Sequence, residues 1–204
     1  CALPISLAIM NDMDKVFAGC VVSSEDSFVV DYTNDGDKVV AKRGVEITSH
    51  EPCYEHGAFH LIDGAGVSYY AVNFEHNPAF FTAADGRKLR NCECMFSSCY
   101  AKKKKWVLLL EMKYSKEKNI KENAVDALDE LEKTRDRLME KGVLNNDDYR
   151  LYFDISFPEH TALEPFQSFL FAPNDLLDYK EKQKVNLMGY NRVLVANGAF
   201  LRPA

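Results

Sequence analysis

Short, largely apolar runs alternate with polar segments through the first half of the chain, a pattern that predicts β-strands joined by turns. β-branched and aromatic side chains are concentrated in these runs, and turn residues such as Asp35-Gly36 separate them. The predicted strands are 15–22, 27–32, 37–47, 57–62 and 66–74. The first 80 residues are therefore expected to be rich in strands.

The spacing of apolar residues changes beyond residue 90. A short strand is predicted at 90–96, and the apolar run 106–114 predicts a second. Beyond Ser115 the apolar residues recur with the period of a helix, and a Lys-Gly pair at 141–142 is typical of a helix end. The apolar stripe consists of Ile120, Ala124, Leu128, Leu131, Leu138 and Met139. We therefore predict a long amphipathic helix over 117–141.

The last third of the chain predicts a strand at 149–157, a helix at 174–187 and a strand at 192–198. A helix that connects two strands of one sheet favours a parallel pair. We therefore predict an α/β (α+β) fold with a mixed central β-sheet flanked by helices. A single domain, 1–204, is expected, in which a strand-rich N-terminal region, 1–80, extends a core over 85–204.

The run 106–114 carries the strongest chemical signal. Side chains alternate between the two faces of a strand, so Glu111 and Lys113 share a face with Val107 and Leu109. The opposite face is also apolar, which is typical of a strand inside a sheet that is covered on both sides. Because burying either charge alone is costly, Glu111 and Lys113 are expected to pair with each other or with a metal.

The preceding strand offers a second carboxylate. If the strands at 90–96 and 106–114 form a hairpin, Glu93 can lie across from Glu111. Two close carboxylates repel each other unless a cation lies between them, and a hard divalent ion such as Mg²⁺ prefers oxygen ligands. A neighbouring lysine, Lys113, could then orient or deprotonate a water, or neutralise charge on a phosphodiester under attack.

This arrangement resembles the PD-(D/E)XK nuclease superfamily, which has the restriction-endonuclease-like fold. The resemblance covers residues 85–157, with Glu93 as the first acid and Glu111-Met112-Lys113 as the E-x-K element. It implies a nuclease that cleaves DNA or RNA, in which Glu93, Glu111 and the Met112 carbonyl bind Mg²⁺ or Mn²⁺ and Lys113 is the catalytic lysine. It also implies that the protein could act as a homodimer.

The chain departs from that family at the first acid, which is usually aspartate. Glutamate at position 93 is one methylene longer, which alters the expected metal geometry. Asp85 is a rival first acid, although Asp85-Gly86 is typical of a turn. A catalytically inactive nuclease-fold binding protein is therefore an alternative.

Composition narrows the function only slightly. The 204 residues are 47% hydrophobic and 27% charged, as in ordinary globular proteins. A net charge of −6 argues against coating nucleic acid by bulk charge but allows a local basic groove, and the run 102–105 of four lysines could contact phosphates. No run of about 18 apolar residues predicts a membrane span.

The six cysteines suggest two further possibilities. Without a recognisable secretory signal, free thiols in the cytoplasm are expected. Cys1 could instead act as the nucleophile of an N-terminal-cysteine amidohydrolase, with its own α-amino group as the base. A zinc site built from His50, Cys53, His56 and His60 is disfavoured, because the set lacks a CxxC pair.

Overall fold

The structure is a computed structural model that describes residues 13–32 and 44–204. Its helices are α1 (Met13–Val16), α2 (Ile120–Glu140) and α3 (Pro173–Gln183). The strands are β1 (Val21–Ser23), β2 (Ser27–Asp31), β3 (Val45–Thr48), β4 (Phe59–Ile62), β5 (Tyr69–Asn73), β6 (Cys94–Ser98), β7 (Lys105–Met112), β8 (Tyr149–Ser156), β9 (Val185–Met188), β10 (Arg192–Asn197) and β11 (Phe200–Pro203).

The strands form two mixed sheets. The six-stranded sheet has the order β1-β5-β6-β7-β8-β9, and the five-stranded sheet has the order β11-β10-β4-β2-β3. In the larger sheet β5, β6 and β7 are antiparallel, whereas β7, β8 and β9 are parallel. Helix α2 connects β7 to β8. The predicted α+β class, the mixed sheet and its parallel pair are therefore confirmed.

Strand β7 lies in the middle of the larger sheet and is buried on both faces. Val107 and Leu109 belong to the core beneath α2, which also contains Leu131. Trp106 and Leu108 belong to a second core that contains side chains of the five-stranded sheet. The prediction that this strand is covered on both sides is confirmed, but one of the covering layers is a sheet.

Helix α2 is the element that the sequence predicted best. A 3₁₀ turn at Glu117–Asn119 leads into it, and the helix continues to Glu140. Its end is followed by Gly142 with φ of +71°, a backbone conformation that glycine adopts without strain. The buried side chains are Ile120, Ala124, Ala127, Leu131, Thr134 and Leu138.

Two segments differ from the prediction. The apolar run 15–22 is not one strand, because α1 precedes β1 and turns Met13 and Phe17 into the core. The predicted helix 174–187 ends at Gln183, where Lys184 adopts φ of +58°, and the chain continues as β9. Of the predicted strand 37–47, residues 37–43 lie outside the described residues.

Both ends of the chain contribute to both layers. β1 and β5 lie in the six-stranded sheet, whereas β2, β3 and β4 form the five-stranded sheet together with β10 and β11. β4 pairs in parallel with β10, although the two strands are far apart in the sequence. The strand-rich N-terminal region is thus integrated with the C-terminal strands.

The described residues contain no helix that combines the length and the apolar composition needed to cross a membrane. The five cysteines that the structure describes are free thiols. Two of them, Cys92 and Cys94, are fully buried beside the start of β6.

Candidate functional site

The start of β6 and the end of β7 bring Glu93 next to Glu111. The antiparallel register pairs Cys94 with Leu110, and the backbone N–H of Glu93 donates to the Leu110 carbonyl at 3.2 Å. The Glu93 carboxylate accepts a hydrogen bond from the backbone N–H of Met112 at 3.1 Å. The sequence-predicted acids therefore lie at the same end of the hairpin.

Glu93, Glu111 and Lys113 line one pocket of about 430 Å³. Side chains of Glu130 from α2 and of Arg90 from the segment before β6 also line it. The rest of the lining comes from Asp31, Val45, Glu75, Lys88, Leu89, Asn91 and Cys92. The pocket is thus rich in carboxylates and includes three basic side chains.

Lys113 is held between two carboxyl groups. Its Nζ lies 2.5 Å from Oε1 of Glu111 and 2.9 Å from Oε2 of Glu130. The guanidinium of Arg90 donates to Oε1 of Glu130 at 2.7 and 3.1 Å, and to Asp129 at 3.1 Å. The carboxylate of Glu130 therefore connects two cations from different regions of the chain.

Glu111 is the most deeply buried charge-bearing side chain of this pocket. It is 3% exposed, and its Oε2 is buried without receiving a hydrogen bond. Burial, followed by the proximity of the Glu130 carboxyl group, raises the pKa of Glu111 well above its ordinary value. The attraction of the Lys113 ammonium opposes this rise.

Glu130 has the opposite electrostatic character. Partial burial by itself raises the pKa of Glu130, but the neighbouring Glu111 and the hydrogen bonds from Lys113 and Arg90 outweigh it and lower the pKa to about 2. Glu130 is therefore ionised at neutral pH. For Lys113, burial lowers the pKa, but the attraction of Glu111 and Glu130 prevails and raises it.

The pKa of Glu93 is raised, like that of Glu111. Burial raises its pKa well above the ordinary value, and the neighbouring Glu111 and Asp31 raise it further. Its carboxylate accepts a hydrogen bond from the backbone N–H of Met112, beyond the point where the backbone pairing of β6 with β7 ends. Glu93 therefore has a structural role in addition to any chemical one.

No set of three or more His, Cys, Asp or Glu side chains between residues 13 and 32 or 44 and 204 is arranged to hold a metal ion. The ammonium of Lys113 lies against one Glu111 oxygen, and only the other oxygen lacks a partner. The pocket thus contains oxygen ligands of the type that Mg²⁺ prefers, but they are not assembled around a point.

The remaining candidates lie elsewhere. Asp85 belongs to a turn, where its Oδ1 accepts from the backbone N–H of Arg87 at 3.0 Å, and it does not line the pocket. The lysine run 102–105 follows β6 and enters β7, at the opposite end of these strands from Glu93 and Glu111. Cys1 lies outside the described residues.

Glu130 and Arg90 were not among the residues that the sequence predicted for this site. One signal for Glu130 is present in the sequence: it directly precedes Leu131 of the buried stripe. A glutamate beside such a stripe is expected to lie at the margin of the helix–sheet contact. Arg90 carries no comparable signal, because its partners Asp129 and Glu130 lie far along the chain, on α2.

No family model, curated protein or solved structure matches this chain. The chemistry of the pocket is therefore inferred from its own residues.

Proposed function

We propose that the protein is a metal-dependent nuclease that hydrolyses phosphodiester bonds of DNA or RNA. The observation that carries the proposal is the convergence of Glu93, Glu111 and Lys113 in one pocket, where a buried Glu111 oxygen receives no hydrogen bond. A buried acceptor without a donor is costly unless it has a ligand or a proton.

The order of elements around the pocket gives further support. An acid at the start of β6, an E-x-K element at the end of β7, the helix α2 and the parallel strand β8 follow one another as the resemblance to the PD-(D/E)XK superfamily implies. The acids lie at strand ends, where backbone and side-chain oxygens can face the same space.

Carboxylate and carbonyl oxygens are the type of ligand that a hard divalent cation, Mg²⁺ or Mn²⁺, prefers. Glu93, Glu111 and the Met112 carbonyl would hold it, and the bound ion would act as a Lewis acid on the phosphodiester. Because Lys113 lies against Glu111 and the Glu93 carboxylate is bonded to Met112, both contacts have to loosen when the ion binds.

Lys113 acts as a fixed positive charge in this proposal. Two carboxyl groups within 2.9 Å keep the lysine ammonium protonated, which makes it poorly suited to accept a proton from water. A preorganised cation in a site sheltered from water stabilises the negative charge that develops on the phosphate during attack. Lys88 lines the same pocket and would supply a further contact for a phosphate.

A catalytically inactive binding protein is the second candidate. The observation that favours it is the closed set of contacts among Glu111, Lys113, Glu130 and Arg90, which fastens α2 to the end of β7 without any added ion. In that case nucleic acid is bound and not cleaved. Nucleic acid as the partner, a homodimer and a cytoplasmic location stay predictions in both cases.

The test is cleavage of labelled single- and double-stranded DNA and RNA with Mg²⁺, with Mn²⁺ and with EDTA. We expect metal-dependent cleavage that falls by at least about a hundredfold in Glu111→Gln and in Lys113→Met. Asp85→Asn is the matched control, because it removes the rival acid outside the pocket, and it should cleave like the wild type. Equal, metal-independent products from all of these proteins would refute the nuclease.

A further inference from the structure

A second cavity, of about 1050 Å³, lies at the other end of the six-stranded sheet. Tyr149 and Arg150 line it at the beginning of β8, and Tyr149 pairs in register with Lys105 at the beginning of β7. Six residues along a strand correspond to about 20 Å, so this cavity is well separated from Glu111. Its other walls come from α3, β9 and β11.

The cavity is bordered by four cationic side chains and two carboxylates. The cations are Lys104, Arg150, Lys180 and Lys184, and the carboxylates are Asp147 and Glu181. None of these four cations forms an ion pair with a carboxylate among the described residues. Lys104 donates to the backbone carbonyl of Asn146, and the lysines of α3 are solvent-accessible. The border is therefore suited to an anionic ligand.

An exposed aromatic ring adds a second recognition element. Phe200 is 47% exposed, and the guanidinium carbon of Arg150 lies 3.7 Å from the centroid of its ring. Arg150 also donates to the Ala199 carbonyl at 2.8 Å, which holds the guanidinium in place over the ring. A guanidinium stacked on a phenyl ring forms a platform, and a flat heterocycle can stack on the outer face of either group.

We propose that this cavity binds a nucleotide, with the base on the platform of Phe200 and Arg150 and the phosphates near Lys180 and Lys184. A simple anion would use the lysines but not the exposed ring, and an apolar ligand would leave the cations without a partner. A free nucleotide and a nucleotide unit of a single strand share this chemistry. The proposal is independent of the nuclease, because it uses a different end of the sheet and different residues.

The test measures fluorescence anisotropy of a labelled oligothymidylate of about ten nucleotides, a length that typical single-strand sites accommodate, in EDTA to prevent cleavage. Competition with unlabelled ATP and with tripolyphosphate follows. Binding of the oligonucleotide without displacement by ATP assigns the site to single strands. Displacement by ATP at lower concentrations than by tripolyphosphate assigns it to free nucleotides, since only ATP carries a base.

The variants separate the platform from the charges. Phe200→Ala should weaken binding about tenfold, whereas Phe200→Tyr should retain it, because both rings can stack. Lys180→Glu should also weaken binding. Lys182→Glu, which makes the same charge change on the same helix outside the cavity, should not.

Three results would overturn the nucleotide site. They are the absence of binding by both the oligonucleotide and ATP, equal binding by Phe200→Ala and the wild type, and equal weakening by Lys180→Glu and Lys182→Glu. Circular dichroism confirms that each variant is folded. Because Glu111 and Lys113 are untouched, loss of this binding with cleavage intact would leave the nuclease standing, and the reverse result would leave the nucleotide site standing.

Discussion

The two ends of the six-stranded sheet differ in whether their charged side chains have internal partners. At the end that contains Glu111, burial forces each carboxylate to find a cation or a proton, so Lys113 and Arg90 are committed to internal partners. At the other end Lys180 and Lys184 border an open cavity and have no carboxylate partner among the residues that the structure describes. Buried charged side chains are thus paired inside the protein, whereas solvent-exposed ones are available to bind ligands.

The largest expected effect concerns the stability of the acidic end. Lys113→Ala leaves Glu111 and Glu130 facing each other without their shared cation, which should lower the free energy of unfolding by about 3 kcal/mol at neutral pH. Urea denaturation measures it. Lys180→Ala is the matched change at the basic end and should stay within about 0.5 kcal/mol of the wild type. Equal effects at both ends would remove the contrast between them.

A second prediction follows from the lowered pKa of Glu130. The unfolded glutamate titrates near 4.5 and the folded one near 2, so its contribution to stability is present above pH 4.5 and is lost as the pH falls toward 2. In Glu130→Gln this acid-dependent loss should shrink. Denaturation midpoints between about pH 2 and pH 6 check it, and an unchanged acid limb in the variant would contradict the ion pairs of Glu130.

Glu111 should show the opposite dependence. Its folded pKa is raised, so the stability it contributes is present below pH 4.5 and is lost as the pH rises through the folded pKa. Glu111→Gln keeps the shape of the side chain and removes this loss. We expect the variant to be at least as stable as the wild type near pH 8 and inactive as a nuclease. Lower stability at that pH would show that Glu111 is ionised in the resting protein.

The smallest expected effect is the response to salt. Oligonucleotide binding at the basic end should weaken about sevenfold between about 50 and 200 mM salt, because about two phosphates, near Lys180 and Lys184, would release counterions. The urea midpoint of the wild type should change little over the same range, since the ion pair of Glu111 and Lys113 is largely buried. Anisotropy and denaturation curves at matched salt concentrations measure both.

Elements whose residues lie close together in the chain could be predicted from the amino-acid pattern alone. The alternation of side-chain direction along a strand placed Glu111 and Lys113 on one face of the run 106–114, and the apolar stripe of α2 indicated its length and its buried side. The register of a short hairpin brought Glu93 to the same end. Local periodicity carries this information because burial selects side chains by face.

Contacts between distant residues, in contrast, are known only from the folded chain. The five-stranded sheet joins β4 to β10, and the acidic pocket joins Arg90 and Lys113 to Glu130 of α2. No local pattern encodes the angle at which a helix crosses a sheet or the partner that a distant strand chooses. These contacts form when the two cores are buried together. The sequence predicted β9 as the end of a helix because this strand is short and is preceded by charged residues, and only its pairing with a distant strand makes it a strand.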